Sequence, residues 1–185
     1  MVTETAAAYD NLILPYLLRK PLPPWLSNIL NRKSESHQIL HDDPRRGFML
    51  ISDLDWNGSS VSTLHITAFV LQPALMNLRS LRAKHLPLLH DIGEIGCRLI
   101  QERYGLSPSQ LRIYIHYPPS CHRLHIHFTN HRFEPRGIQA GKAHLLTEVI
   151  SNLESYPDYY AAAALQCELR VGSARYNRFL KAGLI

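Results

Sequence analysis

The sequence predicts an α+β protein in which an antiparallel sheet carries helices packed on one face. Apolar residues alternate with polar ones in several short stretches, which is typical of half-buried strands. In two longer stretches the apolar residues recur every three or four positions, which is typical of amphipathic helices. With 185 residues, 45% of them hydrophobic and 19% charged, the chain has a globular composition and room for one domain with an appendage.

Six strands are predicted from the alternation and from the turns between them. The first two flank Asp43-Pro44, a favoured turn opening, and are expected to form a hairpin. In chain order the predicted strands are 36–41, 47–52, 63–71, 111–117, 124–129 and 164–171. Strands at 111–117 and 124–129 are joined by a short turn, so we expect them to pair.

Four helices are predicted, and the longest ends where Gly105 can adopt the left-handed conformation that terminates helices. The predicted helices are 24–32, 83–104, 140–153 and a short one that contains Tyr176 and Phe179. Residues 1–24 hold four prolines between positions 15 and 24, which favour extended backbone. We therefore predict an N-terminal strap or linker at 1–24 and a domain at 25–185.

Charge and composition exclude several classes of function. The chain has 20 Lys and Arg against 15 Asp and Glu, and a net charge of +5 is too small to indicate binding of long nucleic acid. No apolar run approaches the roughly 20 residues of a membrane helix, and the N-terminus lacks the pattern of a secretion signal. Three widely spaced cysteines form no CxxC pair, so we expect reduced thiols, no structural zinc and a cytoplasmic location, with the nucleus as an alternative.

Histidines form the most informative pattern, because 11 of them occur and three fall on two neighbouring strands. Alternation places Arg123, His125 and His127 on the face opposite the apolar residues, and His116 lies at a matching position of the preceding strand. The two strands would share a basic surface suited to phosphate. Solvated histidines are one alternative, and a metal site is another. We rank the metal site low because no carboxylate or cysteine accompanies the histidines on that face.

Several segments of the chain resemble the scavenger mRNA decapping enzyme family of the histidine triad superfamily. The stretch from Ile115 to Ser120, the run His125-Ile126-His127-Phe128-Thr129 and residues 143–154 carry most of the resemblance. Residues 25–35, 47–57 and 81–89 extend it, so it covers the chain from about residue 14. The resemblance implies a fold like that of the histidine triad proteins, the catalytic C-terminal domain of the family and a homodimer.

The resemblance also implies an activity that needs neither metal nor cofactor, the hydrolysis of a cap-like or dinucleoside polyphosphate. His125 matches the middle histidine of the family motif His-φ-His-φ-His-φ-φ, which attacks phosphorus and forms a covalent nucleotidyl-histidine. His127 and His116 would hold phosphate oxygens and supply a proton to the leaving group. Ser120 would also contact phosphate.

Other positions match the residues with which the family binds its ligand, a small nucleotide. Trp25 and Leu54 match the pair that sandwiches a methylated purine, and Glu35 matches the carboxylate that pairs with the purine edge. Asp53 lies where the family contacts the sugar side, and Lys142 stands at a phosphate-binding position. Without the resemblance, Trp25 could equally be a core tryptophan of a short helix.

Four departures from the family pattern keep other functions open. Arg123 replaces the first motif histidine and is counted here among the substrate-binding residues; Asp55 replaces a lysine and Lys142 an arginine. The family's N-terminal domain, which closes over the cap, has no counterpart in these residues, so we expect a more open pocket. One alternative is a recruited enzyme of this fold that performs cyclisation, dehydration or isomerisation on a small organic metabolite. Another alternative is an inactive regulatory paralogue.

Overall fold

The computed structural model describes residues 1–33, 36–53, 56 and 58–185. Glu35, Leu54 and Asp55, which the sequence placed at the ligand site, lie outside the described residues. The strands are β1 Val2–Glu4, β2 Ile39–Asp43, β3 Phe48–Ser52, β4 His65–Val70, β5 Leu111–His116, β6 His125–Asn130, β7 Ala143–Leu145 and β8 Leu165–Cys167. The helices are α1 Ala6–Ala8, α2 Leu14–Leu17, α3 Pro24–Leu30, α4 Leu86–Tyr104, α5 Leu146–Ser155, α6 Tyr159–Ala162 and α7 Ala174–Lys181.

Six of the strands form one antiparallel sheet in the order β2-β3-β4-β6-β5-β7, while β1 and β8 form a separate pair. The predicted α+β class with an antiparallel sheet is confirmed. The hairpin of β2 and β3 and the pairing of β5 with β6 are confirmed as well. In this order β6 and β5, the strands that carry the histidines of the predicted site, are adjacent inside the sheet.

Both faces of the sheet are covered, and they differ in what covers them. The two long helices, α4 and α5, pack on one face, as predicted, over the main hydrophobic core. The core residues on this face include Phe48, Leu50, Ile66, Ala68, Ile126 and Phe128 from the strands and Leu89, Ile92, Val149 and Leu153 from the helices. On the opposite face the short helix α3 places Leu26 and Ile29 against Met49, Ile51 and Phe69. The face that carries the histidines is therefore partly closed by α3.

The predicted helix at 140–153 is wrong at its start, because residues 143–145 form strand β7 and α5 begins at Leu146. Strand β7 pairs with the outer edge of β5, and the Tyr117 amide donates to the Lys142 carbonyl over 2.8 Å. Gly141 has φ +81°, which a helix interior does not accept. Hydrogen bonds to an unpaired strand edge thus outweigh the helical pattern of the apolar residues.

The N-terminal residues fold against the domain. Strand β1 pairs with β8, and the extended backbone that the prolines suggested is wrong for Leu14–Leu17, which is helical with Pro15 in its first turn. The Glu4 carboxylate is fully buried, accepts from Arg79 Nε over 2.9 Å and also accepts from the Tyr117 hydroxyl. These bonds tie β1 to the end of β5, and the division of the chain at residue 24 stays a prediction.

Two glycines of α4 provide a test of how the helix packs on the sheet. A Cβ at Gly96 would lie 2.5 Å from Phe128 Cζ, whereas one at Gly93 would meet only Leu146 Cδ2 at 3.5 Å. We expect Gly96→Ala to lower the free energy of unfolding by about 1–3 kcal/mol through overpacking. Gly93→Ala should instead raise it by about 0.5–1 kcal/mol, because alanine favours the helix. Urea unfolding of both variants measures the difference, and equal effects would contradict this packing.

Candidate active site

The site is built on one row of residues that lie opposite each other across the sheet. Thr67 of β4 and Tyr114 of β5 flank His127 of β6, and Ile51 of β3 extends the row on the other side of Thr67. Because side chains alternate between faces, His65 and His125 share the face of His127. Their neighbours in sequence, such as Ile126, point into the core beneath α4.

A cavity of about 570 Å³ opens on this face. It brings together six of the residues predicted from sequence: Trp25, Asp53, His116, Ser120, His127 and Lys142. The other described residues that line it are Ile51, His65, Phe69, Pro118, Pro119 and Arg136. Two cationic side chains, Arg136 and Lys142, therefore border the cavity, as binding of a phosphate chain requires.

His125 is not among the residues that line the cavity, but its ring lies 5.4 Å from that of Phe69 and 4.9 Å from that of His127, which do. A backbone carbonyl holds the ring of His125. Its imidazole has one nitrogen within 4.8 Å of ring nitrogens of His116 and His127. Its Nδ1 lies 2.7 Å from the carbonyl oxygen of Arg123, and a carbonyl can only accept. Nδ1 therefore carries the proton and Nε2 keeps its lone pair. Burial lowers the pKa of His125 from 6.5, so the ring is neutral at neutral pH.

His116 and His127 are also kept neutral by their surroundings. Burial, followed by the charges of His125 and Lys142, lowers the pKa of His116 from 6.5 to about 4. Burial is also the main cause that holds the pKa of His127 well below 6.5. The Nε2 atoms of both rings are buried without a hydrogen-bond partner among the described residues. Such atoms are suited to bind oxygens that a ligand brings.

The segment between β6 and β7 closes over His116. Gly137 has φ +97°, and a Cβ at this position would lie 2.6 Å from His116 Nε2. Only glycine combines this backbone conformation with such a close approach to the imidazole. Arg136 and Lys142 of the same segment reach the cavity, so one loop supplies both the cover of His116 and the cations.

Arg123 is not among the described residues that line the cavity. Its Nη1 donates to the carbonyl oxygen of Leu71 over 2.7 Å, and burial lowers the pKa of the guanidinium. The side chain thus bonds to the end of β4, while its carbonyl holds His125. A role for Arg123 in substrate binding stays a prediction.

Sequence reasoning missed His65, which lies beside His127. His65 Nε2 is 2.9 Å from His127 Nδ1 and 3.5 Å from Asp53 Oδ2. The Thr67 hydroxyl donates to the same Asp53 oxygen over 2.8 Å. The statement that no carboxylate accompanies the histidines is therefore wrong, because the chain after β3 brings Asp53 to their face. The signal was present in the alternation of β4, which places His65 and Thr67 on one side.

Two sets of three side chains have donor atoms close enough to hold a metal ion. They are His116 with His125 and His127, and Asp53 with His65 and His127, each with its donor atoms within 4.8 Å of one another. Two histidines and a carboxylate suit several divalent metals. Because these donor sets could hold an ion, the absence of a metal from the site stays a prediction.

An antiparallel sheet that presents histidines from neighbouring strands to a cavity is the arrangement that the resemblance to the histidine triad superfamily implied. Comparison with known proteins identifies the particular family. Residues 24–142 match the family model described as scavenger mRNA decapping enzyme C-term binding, and the chain belongs to this family.

Curated relatives support the same assignment. The chain is 42% identical to the m7GpppX diphosphatase of Bos taurus over 92% of its length, and 36% identical to that of Ascaris suum over 96%. It spans about half the length of the curated relatives that it matches, 51% of the bovine protein and 60% of the Ascaris protein. Among solved structures it is similar to Hnt3 in complex with DNA and guanosine, with a TM-score of 0.47, 13% identity, and coverage of 86% of this chain and 91% of that one.

None of the helices in the described part of the chain combines the length and apolar character that a membrane crossing requires.

The neutral histidines predict how acid acts on the fold. The pKa of His116 is about 4 in the folded protein, against 6.5 for an ordinary histidine. Between pH 4 and pH 6.5 the unfolded chain therefore binds one more proton at this residue than the folded protein does. The free energy of unfolding should therefore fall as pH falls through this window, by up to about 1.4 kcal/mol per pH unit for each such group. His122, whose pKa burial also lowers to about 4, adds to the effect. Urea unfolding at several pH values should give a shallower slope for His116→Gln than for the wild type, and an unchanged slope would contradict this account.

Proposed function

We propose that this protein hydrolyses a cap-like or dinucleoside polyphosphate through a covalent nucleotidyl intermediate on His125. The observation that carries the proposal is the 2.7 Å bond from His125 Nδ1 to the Arg123 carbonyl oxygen. That bond leaves a lone pair on Nε2, and burial keeps the ring neutral and nucleophilic. The names of the relatives, m7GpppX diphosphatases, agree with this chemistry.

The first half of the reaction is a displacement at phosphorus. The lone pair of His125 Nε2 forms a bond to the phosphorus next to the methylated nucleoside, and the bond from that phosphorus to the bridging oxygen breaks. His127 donates its Nε2 proton to the leaving oxygen. His116, Arg136 and Lys142 stabilise charge on the phosphate oxygens, which is commonly the largest contribution to such catalysis.

The second half releases the nucleotide. A water molecule attacks the same phosphorus, passes a proton to His127 Nε2 and breaks the bond to His125. This returns both rings to their starting protonation states. Two smaller barriers thus replace a single large one.

The outer part of the cavity fits the purine end of such a ligand. Trp25 from α3 is 41% exposed, and its ring lies 6.4 Å from that of Phe69 in an edge-to-face arrangement. An indole with a free face at the mouth of a pocket attracts a flat cation such as a methylated purine. Ser120, from the loop after β5, lines the cavity near His116 and would contact phosphate.

The activity is tested with methylated cap dinucleotide in the presence of a chelator. We expect release of methylguanosine monophosphate, and we expect His125→Ala to slow it on the order of a thousandfold or more, because the nucleophile is lost. A second variant, His125→Gln, preserves more of the buried volume. Quenching in alkaline denaturant, which preserves a phosphorus–nitrogen bond to imidazole, followed by mass spectrometry should detect nucleotide bound to His125 in the wild type only.

His41→Ala is the control, since His41 pairs with Leu50 and lies on the opposite face of the sheet. Undiminished product from either His125 variant would contradict the mechanism. No product from the wild type at high concentration would favour the recruited, non-hydrolytic class of enzyme.

We place this reaction in the cytoplasm. The three cysteines are free, and two of them, Cys121 and Cys167, are buried where burial raises the pKa of the thiol. Unpaired thiols of this kind are usual in reducing compartments.

We also infer a homodimer. Strand β7 pairs with only the second half of β5, so no described strand covers Leu111–Ile113 on that edge. A largely apolar cavity of about 630 Å³ adjoins this edge, lined by residues of α4 and α5 together with the exposed Leu145. An uncovered strand edge beside an apolar groove favours pairing with a second copy.

The oligomeric state can be measured by light scattering after gel filtration. We expect a dimer for the wild type, and for Leu145→Arg a shift towards monomer, because a charge would be buried in the contact. Tyr156→Arg, a change at an exposed aromatic residue outside this groove, is the control. A monomeric wild type, or a dimer indifferent to Leu145→Arg, would contradict the inference.

A further inference from the structure

We propose that His65, together with Asp53, forms a proton relay that serves His127 while His127 protonates the leaving group. This inference rests on the proposed function and assigns a role to a residue that does not belong to the histidine motif. His65 acts through His127, so it is a positioning residue for the reaction.

The relay consists of a hydrogen-bond contact and an ion-pair contact that meet at His65 Nε2. His65 Nε2 lies 2.9 Å from His127 Nδ1, and the two ring centroids are 5.1 Å apart. Asp53 Oδ2 lies 3.5 Å from the same His65 nitrogen. The pairing of β4 with β6 sets this geometry, because it places Thr67 directly opposite His127 with His65 two residues away on the same face.

Thr67 fixes the direction of one bond in the chain. The Thr67 hydroxyl donates its proton to Asp53 Oδ2 over 2.8 Å, so Thr67 Oγ1 can only accept a further hydrogen bond. His127 Nδ1 lies 3.3 Å from Thr67 Oγ1 and 2.9 Å from His65 Nε2. A proton on His127 Nδ1 therefore has two acceptors, and Asp53 is held in place beside His65.

A single proton occupies the short contact between the two imidazoles. Two lone pairs would repel at 2.9 Å, and two hydrogens would not fit. The proton is bonded either to His65 Nε2 or to His127 Nδ1. When His127 Nε2 gives its proton to the leaving oxygen, Nδ1 can take the shared proton from His65. For this transfer His65 starts as an imidazolium, whose charge the Asp53 carboxylate stabilises from 3.5 Å, and ends as a neutral imidazole. His127 is neutral both before and after the transfer.

The burial of His127 explains why such a device is useful. The side chain is 7% exposed, and burial holds the pKa of His127 well below 6.5, so charging this ring is costly. Tyr114 stacks on the ring with centroids 5.2 Å apart, and the rings of His116 and His125 lie 4.4 and 4.9 Å away, so other rings surround much of this imidazole. A relay that avoids a full positive charge on His127 meets this constraint.

The test compares two substrates that differ only in the leaving group, the phenyl and the 2,4-dinitrophenyl esters of methylguanosine monophosphate. Phenolate needs a proton as it leaves, whereas dinitrophenolate does not. We expect His65→Phe to lower kcat for the phenyl ester by roughly 100-fold, the usual contribution of a general acid, and kcat for the dinitrophenyl ester by less than about threefold. His65→Gln can hold His127 by a hydrogen bond but cannot exchange a proton in this way, so it should show the same contrast even if the phenylalanine variant folds poorly.

His41→Phe, on the opposite face of the sheet, is the matched control and should leave both rates unchanged. Equal losses on the two esters would show that His65 has only a structural role and would overturn the relay. Loss of wild-type activity in chelator, with recovery on addition of Zn²⁺, would overturn it in favour of a metal held by Asp53, His65 and His127. If the wild type hydrolyses neither ester, the proposed function itself fails, whereas hydrolysis of both esters with no contrast between them rejects only the relay.

Discussion

The pairing register of β4, β6 and β5 is the constraint on which the rest of the structure depends. Thr67, His127 and Tyr114 lie opposite each other, so alternate residues of three strands point to the face of the sheet on which the cavity opens. A slip of one residue would turn the imidazoles towards α4 and the apolar side chains towards solvent. Close packing holds the register, since Phe128 lies so near Gly96 of α4 that no side chain fits between them.

Because both faces of the sheet are covered, the imidazoles of His65, His125 and His127 are largely shielded from water. Helix α3 closes one side of the histidine face, and the loop at Gly137 covers His116. Each buried imidazole must then be neutral and must find hydrogen-bond partners, or leave atoms for a ligand to satisfy. The arrangement meets these demands in different ways: His125 bonds to a carbonyl, His127 bonds to His65, and His116 keeps an unpartnered Nε2.

Much of the sheet and its histidines could be predicted from sequence, because period-two alternation is a local signal. It identified β5 and β6 and assigned His116, His125 and His127 to one surface. Strand β7 was missed because its hydrogen bonds come from the distant edge of β5, while its own residues continue the helical pattern of α5. The approach of Asp53 to His65 was missed for a related reason, since the contact depends on where the chain leaves β3 and not on spacing along it.

The replacement of the first motif histidine by Arg123 has less consequence for the nucleophile than the sequence suggests. The group that orients His125 is the carbonyl oxygen of residue 123, which every amino acid supplies, and the strand geometry alone brings it to 2.7 Å from Nδ1. The guanidinium meanwhile bonds to the Leu71 carbonyl at the end of β4. A side chain can therefore change at this position while the tautomer of His125 is preserved, and His116, His127, His65 and Asp53 still line the cavity.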